Sequence, residues 1–340
     1  MPSQELHDTA RAIVADHKGI LAADESTGTM TKRLDSVGVE STEENRRFYR
    51  GLLFTAPGME DSVGGVILYD ETIRQAGDDG TPFAELLAAK GVVPGIKVDT
   101  GAHDMAGFPG EKVTEGLDGL RGRLEEYHEL GARFAKWRAV ITIGDGMPTE
   151  ACIRANAHAL ARYAALCQEQ GLVPIVEPEV LMDGDNSLQV CSEVTTRTLH
   201  ATFDELYAHA VDLKGTLLKP NMVIPGKGAS DQALPERIAQ ATIDAFLSEV
   251  PAAVPGIVFL SGGQSEVQAT ENLNAINQIG GPWALSFSYG RALQASALAA
   301  WGGDPGNAEA AQRAFVHRAR MNSLAAAGEW SAELEQPVVA

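Results

Sequence analysis

The chain has 340 residues, of which 44% are hydrophobic and 21% charged, enough for the core of one large domain or two modest ones. Its formal net charge of −19 argues against nucleic acid as a partner, because such binders carry a basic face; any anion site must be a local cluster of Lys, Arg and backbone N–H groups. No apolar run approaches the ~20 residues that span a bilayer, and the opening Met1-Pro2-Ser3-Gln4-Glu5 has no secretory pattern, so no membrane association is expected.

Cys152 and Cys167 fall on one helical pattern, about 22 Å apart at ~1.5 Å per residue, too far for a disulfide. The three cysteines therefore fit a reduced, cytoplasmic protein. No low-complexity tract, charge block or Ser/Pro-rich linker marks a domain boundary. The chain instead alternates short β-like runs with longer helical patterns. The runs are 19–23, 65–69, 94–98, 134–138, 173–177, 216–219, 256–260 and 284–288. Leu117, Leu120, Leu124 and Tyr127 sit at helical spacing before the fourth run. Ile153, Ala157, Leu160, Ala164 and Cys167 form an apolar stripe before the fifth, with Thr149 as N-cap. Glu205 and His209 flank a helix before the sixth, and Ile238, Ala241, Ala245 and Val250 mark one before the seventh.

Eight βα units predict an α/β fold, a closed (β/α)8 TIM barrel. The roughly 270 residues from Leu21 to Tyr289 match the ~250 typical of that barrel. The expected organisation is one domain over 1–340, with the barrel core at about 19–301, an N-terminal helical arm, and a C-terminal helix and tail over 302–340. A Rossmann-like sheet is disfavoured because Asp24-Glu25-Ser26-Thr27-Gly28 follows the first strand where G-x-G-x-x-G is required.

Barrel active sites lie at the C-terminal strand ends, and here those ends are polar. The first ends in Asp24, followed by Ser26, Thr27 and Gly28; the seventh runs into Ser261-Gly262-Gly263 and the eighth into Ser288-Tyr289-Gly290-Arg291. Four others carry polar pairs two residues apart, Lys97/Asp99, Lys136/Arg138, Glu177/Glu179 and Lys219/Asn221, and that spacing puts each pair on one strand face. A salt-bridge layer closing the barrel is the structural alternative. The functional reading is more specific. Lys219 lies in the apolar run Leu217-Leu218-Lys219-Pro220-Asn221, and a desolvated lysine near a second cation loses its proton more readily and becomes an imine-forming nucleophile. Lys136 would be that cation, with Glu177 and Asp24 as acid/base candidates. Ser261, Gly262, Gly290 and Arg291 suit a phosphate, and Lys97, Arg33 and Thr29 suit a second anion across the mouth. The eight histidines fall in helices and connections without H-x-H or H-E-x-x-H, so neither metal nor cofactor is expected.

These motifs resemble one family. Leu21-Ala22-Ala23-Asp24-Glu25-Ser26-Thr27-Gly28, Gly95-Ile96-Lys97-Val98-Asp99, Ala135-Lys136-Trp137-Arg138, Val176-Glu177-Pro178-Glu179, Leu218-Lys219-Pro220-Asn221-Met222, Phe259 to Ser265 and Phe287 to Gln294 are similar, in order, to class I fructose-1,6-bisphosphate aldolases. The resemblance implies reversible cleavage of fructose 1,6-bisphosphate in glycolysis and gluconeogenesis. It implies Lys219 as the Schiff-base lysine, Glu177 as main acid/base, Asp24 and Lys136 as its neighbours, and Arg138 and Glu179 as supporting residues. Ser261, Gly262, Ser288, Gly290 and Arg291 would hold the C1 phosphate, and Thr29, Arg33 and Lys97 the C6 phosphate. A homotetramer is also implied. One departure stands out: many animal members end in a tyrosine that assists enamine proton transfer, whereas here the last tyrosine is Tyr289 and the tail is Gln336-Pro337-Val338-Val339-Ala340. Either another group moves that proton or the step is slower. Two alternatives remain, another lysine-dependent aldolase or transaldolase with a single phosphate site, and a catalytically silent binding protein.

Overall fold

The computed structural model describes residues 4–335. Its centre is a closed barrel of eight parallel strands: β1 (Gly19–Ala22), β2 (Val63–Leu68), β3 (Val93–Lys97), β6 (Phe134–Ile141), β7 (Val173–Val180), β8 (Leu217–Leu218), β9 (Gly256–Phe259) and β10 (Ala284–Tyr289). The first strand pairs with the last through Ile20 and Ser288, which closes the ring and rules out the open sheet. All eight expected strands are present. A ninth and tenth, β4 (Gly101–Asp104) and β5 (Lys112–Glu115), form an antiparallel hairpin outside the barrel. The hairpin was not foreseen because Gly101-Ala102-His103-Asp104 is largely exposed, and a strand that buries no face shows no apolar alternation.

Side-chain alternation sorts each barrel strand into an inward and an outward set. On β6, Phe134 belongs to the cluster filling the barrel floor with Ile20, Ile67, Val173, Ile175, Leu217 and Val258. The residues between face the helices: Trp137 packs on Tyr163 with ring centroids 5.6 Å apart. The Tyr163 hydroxyl reaches the carbonyls of Ala135 (2.7 Å) and Ile175 (3.1 Å), so helix Glu150–Glu169 is stapled to both β6 and β7. Thr149 caps that helix, accepting from the Cys152 N–H, as its sequence position suggests.

Helix Gln4–Ile13 closes the bottom of the barrel with Leu6, Ala10 and Ile13. The approach is so close that a Cβ on Gly64 would lie 2.1 Å from the Ile13 carbonyl oxygen; only glycine fits there. At the opposite rim of the floor a Cβ on Gly95 would stand 2.3 Å from the Phe134 ring, so the ring fills the space a larger residue would need. Helix Ala308–Ala326 packs over the outside after the barrel is complete. Among the described residues no helix is long and apolar enough to cross a membrane, and Cys152, Cys167 and Cys191 are all free and buried.

Candidate active site

The apolar floor gives way to charge toward the C-terminal strand ends. Following Phe134, the next inward residues of β6 are Lys136 and Arg138; following Val173 and Ile175, those of β7 are Glu177 and Glu179. Register pairs Lys97 with Lys136, Arg138 with Glu177, and Val140 with Glu179. β8 is short because Pro220 has no N–H to continue the ladder, but the Lys219 N–H still donates to the Val176 carbonyl (2.8 Å), so the backbone stays paired with β7 as far as Lys219.

Three of these groups are almost dry: Lys136 and Glu177 are 3% exposed and Lys219 is 4% exposed. The Lys136 Nζ lies 2.6 Å from Asp24 Oδ2 and 3.4 Å from Glu177 Oε2, and the Lys219 Nζ lies 3.2 Å from Glu177 Oε1. One carboxylate is thus shared between two amines, a geometry in which a proton passes from ammonium to carboxylate without rearrangement. Burial disfavours the Asp24 carboxylate, but Lys136, Lys219 and Lys97 outweigh it and hold the pKa well below the ordinary 3.8. Burial also works against Glu177, and Lys136, Lys219 and Arg138 hold that pKa below its ordinary value too. Burial disfavours the Lys136 ammonium, yet Asp24, Glu177 and Asp99 raise its pKa above 10.5. At neutral pH the centre therefore contains Asp24⁻, Glu177⁻ and Lys136⁺.

The pKa directions define a pH profile of stability. The depressed carboxylates stabilise the fold above their unfolded pKa values and lose that contribution as pH falls below about 5. The raised lysine stabilises it below its unfolded value and loses that contribution as pH climbs above about 10. Asp24→Asn should lower the neutral-pH plateau by about 3 kcal/mol, the low end for breaking a buried pair, because Glu177 still partners Lys136. It should also flatten the fall in melting temperature between pH 5 and 3. Thermal melts across pH check both; an acid limb as steep as that of the unsubstituted protein would mean that Asp24 is not held ionised by this cluster.

A cavity of about 610 Å³ opens above the charges and is lined by every residue singled out in the sequence for a site: Asp24, Thr29, Arg33, Lys97, Lys136, Arg138, Glu177, Glu179, Lys219, Ser261, Gly262, Ser288, Gly290 and Arg291. On one side Ser261-Gly262 and Gly290-Arg291 converge at the start of helix Arg291–Trp301; Arg291 is anchored to the Gln264 carbonyl (3.2 Å). The Ser288 Oγ is buried and has no hydrogen-bond partner among the described residues. On the other side Lys97 pairs with Asp99 (3.2 Å) and lies 5.8 Å from the Tyr69 ring centroid. Thr29 sits in the first turn of helix Thr27–Asp35, its N–H donating to Ser26 Oγ (3.4 Å). Arg33 is placed between the two sides: it pairs with Glu25, and its guanidinium comes within 3.4 Å of the Cβ position of Gly290. Arg138 pairs with Glu179 at the rim, while the Arg138 N–H donates to Asp99 Oδ2 (3.2 Å).

Three features differ from the sequence reading. Asn221 does not share the inward face with Lys219: it accepts from the Val180 N–H (3.0 Å) and donates to Thr195 Oγ1 (3.1 Å). The strand has already ended at Leu218, so two-residue alternation does not extend through Pro220. His103 lies in a strand, that of the outer hairpin. Glu25, Met182, Asp183 and Lys227 also line the cavity and were missed; all four come from loops, where no periodicity reports orientation. Residues beyond Glu335, including the tail that lacks a tyrosine, lie outside the described residues. Tyr289 is fully buried and donates its hydroxyl to the Ala269 carbonyl (3.0 Å).

An amine-bearing, anion-ready cavity at the carboxyl ends of eight parallel strands defines a (β/α)8 barrel enzyme. The family model described as fructose-bisphosphate aldolase class-I matches residues 5–339. A probable class 1 fructose-bisphosphate aldolase of Xanthomonas campestris is 59% identical, with 97% of this chain and 99% of that one covered. The cytosolic fructose-bisphosphate aldolase 6 of Arabidopsis thaliana is 55% identical, covering 97% and 93%. A solved structure of Plasmodium falciparum fructose-bisphosphate aldolase, in complex with TRAP and a small-molecule inhibitor, superposes with a TM-score of 0.96 at 48% identity, covering 97% of this chain and 96% of that one. The chain belongs to the class I fructose-bisphosphate aldolase family, and with that membership come aldolase activity, the lyase class and sugar phosphate substrates.

Proposed function

We propose that the chain cleaves fructose 1,6-bisphosphate to dihydroxyacetone phosphate and glyceraldehyde 3-phosphate, reversibly, through a Schiff base on Lys219. The observation that carries this reading is the 3.2 Å contact between the buried Lys219 amine and Glu177. When substrate enters, the ionised Glu177 takes a proton from the Lys219 ammonium and frees the nucleophile. The amine adds to the C2 ketone. Protonated Glu177 then returns its proton to the departing hydroxyl, which leaves as water from a protonated imine. The imine draws the C3–C4 electron pair as Glu177, again a carboxylate, accepts the C4 hydroxyl proton. Glyceraldehyde 3-phosphate departs, and protonation and hydrolysis of the enamine release the second product. Lys136⁺ and Asp24⁻ surround the reacting atoms with fixed charge, and Arg138 and Glu179 support the rim. Ser261, Gly262, Ser288, Gly290 and Arg291 grip the C1 phosphate, with Thr29, Arg33 and Lys97 on the C6 phosphate, so that binding becomes alignment of C2 with the amine.

The same reading takes residues 1–340 as one domain with the barrel core at about 19–301, and the molecule as a cytoplasmic homotetramer. The test compares fructose 1,6-bisphosphate with fructose 1-phosphate in a coupled cleavage assay containing EDTA. One charge-assisted contact is worth about 1.5–3 kcal/mol, so kcat/KM should favour the bisphosphate by about 10- to 100-fold. Equal use of the two substrates would point to a single-phosphate lysine enzyme. Absence of turnover would favour a silent binding protein, and abolition by EDTA a metal-dependent reaction.

A further inference from the structure

Outside the substrate cavity, the packed helices Glu150–Glu169 and Leu188–Ala208 bring together His158, Glu205 and His209, the one such group of potential metal ligands found among the described residues. No step of the aldol chemistry uses them. We propose that this trio is a divalent transition-metal site, best suited to Zn²⁺, that cross-links the two helices on the outer face of the barrel.

Geometry supports it from each side. Glu205 and His209 are four residues apart at the end of one helix and so share a face. His158 reaches them from the neighbouring helix, its Nδ1 3.1 Å from Glu205 Oε2. Ligand atoms around a tetrahedral zinc, with bonds of ~2.0 Å, are about 3.3 Å apart, so this pair is already at coordination spacing. The His209 Nδ1 lies 2.9 Å from the Glu205 carbonyl oxygen. The same Nδ1 lies 3.5 Å from Glu205 Oε2, close to coordination spacing, so ligation through it exchanges the carbonyl contact for the ion. One ligand atom from each of the three residues lies within 4.8 Å of the others, and small side-chain rotations close the set. The side chain of His158 is 51% exposed, so an ion has an entry path. Arg154, four residues before His158 on the same helix, is held by Glu150 (2.6 Å). Two imidazoles and a carboxylate suit zinc, and three protein ligands leave a fourth position for water.

The site has a structural consequence. Helix Glu150–Glu169 is the one that Tyr163 staples to β6 and β7, so an ion joining it to its neighbour strengthens the wall behind Lys136 and Glu177. The test uses the full chain, stripped with EDTA, dialysed, and titrated with ZnCl₂ in a buffer free of phosphate and chelators. Calorimetry should show one saturable site per chain, and melting temperature should rise with free zinc. His158→Ala, His209→Ala and Glu205→Gln should each weaken binding by at least about 10-fold, the loss seen even when an outer-shell partner is removed, while circular dichroism stays unchanged. Cleavage of fructose 1,6-bisphosphate by the stripped protein should remain at its full rate. Absence of saturable binding, or equal zinc affinity in all three variants, overturns the proposal; the second result would move the ion to other ligands such as the cysteines.

Discussion

Lys219→Met should lose cleavage activity by a factor on the order of 10⁴ to 10⁶, the range found when one member of a covalent catalytic set is removed. The substitution keeps an unbranched side chain of similar bulk and removes the amine. Nothing else can take its place: Lys136 is 2.6 Å from Asp24 and held as an ammonium, and a protonated amine has no lone pair to offer a ketone. The fold should survive. Glu177 keeps Lys136 at 3.4 Å, so no carboxylate is left without a cation, although Glu177 loses one of its two cations and some stability goes with it, as in Asp24→Asn. A cooperative melt and an unchanged circular dichroism spectrum should persist while turnover disappears, which separates loss of chemistry from loss of structure. Borohydride with dihydroxyacetone phosphate should add covalent mass to Lys219 in the unsubstituted protein and none in the variant. A variant that loses less than about 10⁴-fold in turnover, or a label on Lys136 or Lys97, would contradict the assignment of Lys219, since a positioned acid/base alone accounts for losses up to about that size.

Glu177→Gln should lower kcat by about 10²- to 10⁴-fold, the usual range for a positioned acid/base. The amide keeps the shape of the carboxyl group but can neither accept the Lys219 proton nor return one. Both imine formation and C3–C4 cleavage slow as a result. Because the nucleophile is intact, borohydride should still label Lys219, only more slowly. KM should change far less than kcat, since both phosphate grips are untouched. The pH dependence should change as well. Glu177 is held below the ordinary carboxylate range behind a burial penalty that the surrounding cations overcome, so the acid limb of kcat should report its protonation and vanish in the variant. An unaltered kcat with an unaltered acid limb would transfer the acid/base role elsewhere, with Asp24 as the nearest ionised candidate.

The legibility of the site follows from strand geometry. On β6 the inward series Phe134, Lys136, Arg138 and on β7 the series Val173, Ile175, Glu177, Glu179 change from apolar to charged one register step apart, and a period of two reveals each change before any coordinates exist. The same rule failed at Asn221 because Pro220 ends the strand, and it was silent for Asp183 and Lys227, which sit on loops. The exposed hairpin carried no apolar signal at all.

Local order in the chain was therefore enough to specify eight alternating units, their closure into a barrel, and the chemical kinds of group at its mouth, because burial of one strand face imposes a pattern that neighbouring residues record. Which groups meet was decided only in three dimensions. Asp24, just past the end of the first strand, reaches Lys136 three strands round the ring, Glu177 stands between two amines, Arg33 turns toward Gly290, and His158 finds Glu205 and His209 across two helices. Those pairings depend on barrel radius, register and helix packing, long-range distances over which the energies of desolvated charges change steeply and which no local pattern of residues encodes.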